Sequence, residues 1–221
     1  TGITRPCTKH NYLVKNIDDL AKTVHEAFYV ARSGRPGPVL IDFPKDVMNA
    51  MGDYMPPLDV EHKTYKPQMD GDSALIREAV KMLKAAKKPI IYAGGGVINS
   101  GPHASELLTE LVRLTGAPCT LTLMGLGALP ASDKHFIGML GMHGTYEANM
   151  AMHDCDIMLN VGARFDDRVT GRISGFAPKS EKIHIDIDPS SVNKNVQVEL
   201  SIIGDATIIL EMLIAAMKAQ S

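Results

Sequence analysis

The chain has 221 residues, enough for one substantial core and an appendage, since single domains commonly run to about 100–200 residues. Its 23 basic and 25 acidic residues leave a net charge of -2 and form no basic block, which argues against nucleic acid as a partner. No apolar run reaches the roughly 18 residues that cross a bilayer and no signal pattern opens the chain, so no membrane partner is expected.

Residues 1–10 show neither helical nor strand periodicity, and the chain opens on Thr rather than Met, as expected of a piece of a longer protein. From Asn16, the residues Ile17, Leu20, Val24, Ala27, Phe28 and Ala31 recur at helical spacing and predict a helix over about 17–33, with Asn16 or Asp18 as cap and Gly34 as stop. A short apolar strand follows at 39–43, stopped by Pro44. A lone helix and strand cannot make a core, so residues 1–48 read as the remnant of a preceding domain. Residues 49–71, with Pro56, Pro57 and Pro67, have the composition of an extended linker.

Residues 72–221 alternate. A helix is expected at about 75–86, a strand at 89–93, a helix at 103–115, and strands at 118–123 and 136–140. A helix at 145–153, strands at 156–161, 182–187 and 201–203, and a helix at 206–218 complete the series. This rhythm predicts an α/β fold, a doubly wound Rossmann-like parallel sheet with helices on both faces. Cys7, Cys119 and Cys155 are odd in number and far apart, which predicts reduced, buried thiols with a packing role in a cytoplasmic-type compartment.

Several loops at predicted strand ends carry chemistry. Gly94-Gly95-Gly96 follows a strand and precedes a helix, so the backbone could approach a ligand and a helix N-terminus could meet a phosphate; a plain tight turn explains it equally well without other motifs. Thr122-Leu-Met-Gly-Leu-Gly127 places Leu123 and Met124 beside glycines, and Leu140-Gly-Met-His143 ends the next strand. His143 alone is more often a structural hydrogen-bonder than a catalyst. Gly162-Ala-Arg-Phe-Asp-Asp-Arg-Val169 follows a strand at the edge where open α/β sheets bind ligands, although mixed charges also suit a solvated, salt-bridged loop. In His184-Ile-Asp-Ile-Asp188 and Gly204-Asp205, carboxylates at strand ends can accept from ribose hydroxyls, while Asp188 before Pro189 equally suits a cap.

Taken in order from Thr4-Arg5 to about Asp205, these motifs resemble the large catalytic subunit of acetolactate (acetohydroxyacid) synthase, a thiamine-diphosphate-dependent flavoprotein. The resemblance implies that residues 1–48 close the domain that binds the thiamine pyrimidine and that 72–221 form a central FAD-binding domain. FAD would be contacted by Arg35, Gly94, Gly95, Gly96, Thr122, Leu123, Met124, Leu140, Gly141, Met142, His143, Gly162, Ala163, Arg164, Asp166, Arg168 and Val169. Asp186, Ile187, Asp188, Gly204 and Asp205 would meet its adenosine half. Lys45, Met142, His143, Asp167 and Arg168 would stand at the substrate channel and active-site entrance.

The Gly-Asp-Gly motif that holds Mg2+ against the thiamine diphosphate is missing, since Gly204-Asp205-Ala206 does not match it. The cofactor-activating Glu of the family would lie upstream of Thr1. The chain by itself is therefore expected to contain no catalytic residue and to be inactive. Implied for the full-length enzyme are thiamine diphosphate, Mg2+, 2-ketoacid substrates (pyruvate and 2-ketobutyrate), a homodimer or tetramer, a small regulatory subunit, and a cytoplasmic or, in a eukaryote, organellar location. FAD would take no net redox part. Rival readings are another FAD-containing thiamine-diphosphate enzyme, of the pyruvate oxidase or glyoxylate carboligase type, and a non-catalytic nucleotide-binding module.

Overall fold

The computed structural model describes residues 2–57 and 59–219, and the chain divides into two compact units, Thr1–Pro67 and Gln68–Ser221. In the first unit, strand β1 (His10–Leu13) pairs in parallel with β2 (Val39–Asp42), and helix α1 (Leu20–Arg32) connects them. The side chain of Asn16 accepts from the amide of Asp18, opening a short 3-10 turn that leads into α1. At the other end of α1, Lys9 Nζ donates to the carbonyls of Val30 (2.5 Å) and Ser33 (2.7 Å), placing a cation on the negative end of the helix.

Two elements here escape a reading by periodicity. Strand β1 has four residues, none of them buried, so no alternating apolar pattern marks it; the first unit thus contains a small sheet of its own where a lone strand was expected. Beyond the strand, Pro44 stands in extended backbone just before a five-residue helix, α2 (Lys45–Asn49), which it opens without a side-chain cap. No helix or strand occurs among the described residues of 50–72. Within the first unit the Tyr65 hydroxyl donates to Ser33 O (2.9 Å) and His62 faces Glu26 (3.8 Å).

The second unit is a six-stranded parallel sheet in the order β5-β4-β3-β6-β7-β8. Its strands are β3 (Pro89–Ala93), β4 (Cys119–Leu121), β5 (Phe136–Met139), β6 (Ile157–Val161), β7 (Glu181–Asp186) and β8 (Leu200–Ile203). Helices α3 (Ser73–Ala85), α4 (Gly95–Asn99), α5 (Pro102–Thr115), α6 (Tyr146–Asp154), α7 (Asp167–Thr170) and α8 (Ala206–Lys218) complete it.

Alternate strand residues feed two separate cores. Ile91, Leu159 and Ile183 pack with α3, α5 and α8, whereas Ile90, Tyr92 and Met158 pack with Ala148 and Met152 of α6. Both faces are covered, as the βαβ rhythm predicts. Burial of each such Leu or Ile contributes about 1.5–3 kcal/mol.

The strand expected at 118–123 ends early, because Thr122 Oγ1 accepts from Gly125 N (3.0 Å) and turns the chain into the 3-10 segment Leu123–Gly125. Helix α4 begins inside the glycine triplet, where low helix propensity hides it. Cys119 and Cys155 are buried, and burial, aided by Asp133, pushes the Cys119 thiol up to about 12. Cys7 departs from the expectation of buried thiols. It is exposed in the 3-10 turn Arg5–Cys7, which buries no residue. Among the described residues, no helix is long and apolar enough to cross a membrane.

Candidate functional site at the strand ends

After β3 the chain moves to one side of the sheet through β4 and β5, then returns to β6 on the other side of β3. The loops following β3 and β6 therefore part at a switch in strand order, the place where open α/β sheets receive ligands. Here the two turns lie backbone against backbone. A Cβ on Gly94 would sit 2.5 Å from Gly162 O, and one on Gly96 would sit 2.6 Å from Gly162 Cα. Gly94 N donates to Val161 O (2.9 Å) and Gly96 N to Gly162 O (3.0 Å), while Gly162 itself has φ +64°. Gly94 and Gly96 are thus demanded by the contact between turns. Gly95 differs, because its Cβ would meet only the Met124 residue, with Cβ at 3.1 Å.

Beside this glycine ridge, apolar side chains stand in the open. Leu123 is 69% exposed, Met124 74% and Met142 65%, while Leu140 is buried in the core beneath. Gly141, at φ +91°, is locked in place by Asn149, whose Oδ1 accepts from Gly141 N (2.9 Å) and whose Nδ2 donates to Gly141 O (3.1 Å). His143 is exposed in the same turn.

The charged loop pairs within itself. Arg164 Nη2 lies 2.8 Å from Asp166 Oδ2, and Arg168 Nη1 lies 3.0 Å from Asp167 Oδ2, all four side chains being about half exposed or more. The Arg168 carbonyl accepts from Met142 N (2.8 Å), which ties this loop to the turn after β5. Val169 is partly buried. Below the loop, burial holds the Tyr92 phenol well above its usual range, with Asp166 adding to the effect and Arg164 opposing it.

The carboxylates at the far strand ends have local partners. Asp186 is buried, its Oδ1 accepts from Asp188 N (2.9 Å), and its Oδ2 lies 3.5 Å from His184 Nε2. Asp188 Oδ1 caps the turn Pro189–Ser191 through Ser190 N (3.0 Å), and Ile187 between the two Asp is half-buried. Asp205 caps α8 through Thr207 N (2.9 Å) and accepts from Ser100 Oγ (3.0 Å). A Cβ on Gly204 would collide with Met69 O at 2.7 Å.

The second unit therefore brings its expected site residues to one edge of the sheet, with Leu140 and Ala163 buried beneath it. Arg35 and Lys45 belong to the first unit, where both are exposed. The side chains that hold the β6 turn carry no expected role. Asn160 and Asn195 bond to its backbone (2.8–3.1 Å), and Phe165 at φ +55° is buried against Tyr92, Phe176 and His184. A polar residue inside the apolar run Ile157–Val161 was the available signal.

Comparison with known proteins agrees with this architecture. The chain is 45% identical over 222 aligned residues to the acetolactate synthase isozyme 3 large subunit of Escherichia coli (strain K12), covering 100% of this chain and 38% of that protein. It is 46% identical to the acetolactate synthase large subunit of Haemophilus influenzae, covering 99% of this chain and 38% of the relative. The corresponding subunit of Corynebacterium glutamicum is also 46% identical, with 99% and 34% covered. The chain thus spans well under half the length of these relatives. Residues 76–213, most of the second unit, match the family model described as the thiamine pyrophosphate enzyme, central domain. By that match, and with the parallel six-stranded sheet the residues build, the chain belongs to the thiamine pyrophosphate enzymes.

Proposed function

We propose that this chain supplies the FAD-binding domain, and part of the active-site entrance, of an acetolactate synthase catalytic subunit. The observation that carries the reading is similarity at 45–46% identity along essentially the whole chain to large subunits of that name. The strand-end edge suits FAD on its own chemistry. Its glycine turns keep side chains off the ridge, Leu123, Met124 and Met142 offer an exposed apolar surface for a flat ring system, and Arg164 and Arg168 offer permanent charge for a diphosphate. The carboxylates of Asp186, Asp188 and Asp205 would accept from the adenosine half. FAD would be a structural group without net redox change.

The full-length protein, with thiamine diphosphate and Mg2+ held outside this chain, would decarboxylate pyruvate and join the two-carbon unit to pyruvate or 2-ketobutyrate, a step of branched-chain amino acid synthesis. Met142, His143, Asp167 and Arg168 would line the approach of the second 2-ketoacid. The assembly would be a homodimer or tetramer in the cytoplasm or an organelle, with a regulatory subunit as a further partner. The test is an assay with pyruvate, thiamine diphosphate, Mg2+ and FAD. The full-length protein should form acetolactate and the 221-residue chain none; failure of the first, or acetolactate from the chain alone, overturns the reading.

A further inference from the structure

Two fully buried polar side chains converge on a single residue of the β6 turn, Ala163. Asn160 Nδ2 donates to Ala163 O (2.8 Å) while its Oδ1 accepts from Ala163 N (3.1 Å), closing both polar groups of that residue from below. From the neighbouring strand, His184 Nε2 reaches the same Ala163 O at 2.9 Å, with Asp186 Oδ2 at 3.5 Å on its flank. A carbonyl only accepts, so Nε2 carries the ring proton. Nδ1 has no hydrogen-bond partner among the described residues, and the ring packs edge-on against Phe165 with centroids 5.1 Å apart. The ring thus has one polar task, which is to hold Ala163 O.

The turn needs holding. It contains two residues with left-handed backbone, Gly162 at φ +64° and Phe165 at φ +55°, and in a side chain with a Cβ that conformation is strained. Arg164, an exposed cation of the edge, lies between them. We propose that Asn160 and His184 are positioning residues, which clamp the Ala163 peptide so that Arg164 and Asp166 are presented at a fixed place on the ligand edge. The proposal rests on the reading of that edge as the FAD site. Neither residue touches the ligand; both act through the turn.

The experiment uses the full-length protein with His184→Phe, Asn160→Asp and His184→Gln, and reads two quantities. Asn160→Asp keeps the acceptor for Ala163 N and turns the donor facing Ala163 O into an acceptor; His184→Gln can return an N–H to the position of Nε2. In His184→Phe and Asn160→Asp, amide hydrogen exchange should speed up over 163–166 and stay unchanged in β3 and α5. FAD, titrated by flavin fluorescence, should bind about five- to ten-fold more weakly, the worth of one or two lost hydrogen bonds. His184→Gln should restore both quantities. Unchanged exchange at 163–166, or a loosened turn with unchanged FAD affinity, overturns the proposal. Should the unsubstituted protein bind no FAD, it is the FAD reading that falls, and exchange at the turn still decides whether the clamp exists.

Discussion

Arg168 carries its charge at the surface, paired with Asp167, while its backbone carbonyl braces the turn that presents Met142 and His143. Charge and scaffold are therefore separable at this residue. Arg168→Lys keeps the carbonyl and the charge but loses the planar fork that grips a carboxylate in two places. If the guanidinium meets the incoming 2-ketoacid, loss of a charged hydrogen bond should change the ratio of acetohydroxybutyrate to acetolactate by about ten-fold at fixed substrate concentrations, with flavin content unchanged. Product analysis of the full-length variant checks this; a normal ratio confines Arg168 to its structural bond with Met142. The glycine triplet divides in the same way. Gly94 and Gly96 serve contact between turns and Gly95 does not, a distinction invisible in three identical letters because it depends on what lies across from each.

At the scale of elements, α5 and α8 lie side by side on one face of the sheet and are joined at the surface by His103. Its Nδ1 is 3.0 Å from Glu106 and its Nε2 is 3.2 Å from Glu211. A neutral ring has one N–H and cannot donate to both carboxylates, so the pair favours the charged form. The hydrogen bond to Glu106 raises the His103 pKa most, desolvation opposes it, and Glu211 adds to the rise. A raised folded value means that the stabilisation is fully present below the unfolded histidine pKa of 6.5 and is lost as pH rises through the folded value. His103→Gln should therefore lower the melting temperature by no more than about 2 °C near pH 6, and by less near pH 9. A difference that grows with pH contradicts the clasp.

The long helices α3, α5 and α8 of the second unit were legible from their apolar periodicity, and its strands from short apolar runs between them. Strand β1, α2 and α4 were not, being four or five residues long and fixed by neighbours distant in sequence. Of the candidate site, Arg164 and Arg168 could be read from their place after a strand. The shared role of Asn160 and His184 could not, because their hydrogen bonds to Ala163 exist only once the turn has folded.

The molecule as a whole combines a small βαβ unit with a doubly wound sheet, whose candidate site is built from the ends of its strands. The central claim is that this edge holds FAD. Gly95 is the position at which to test it, because a side chain there leaves the contact between the β3 and β6 turns alone and projects beside Met124. The measurement is the flavin absorbance of full-length protein purified with and without Gly95→Val, alongside far-ultraviolet circular dichroism. The protein should carry flavin, and the variant should lose most of it with its helix content unchanged; a folded variant that retains flavin at the level of the unsubstituted protein would contradict the claim.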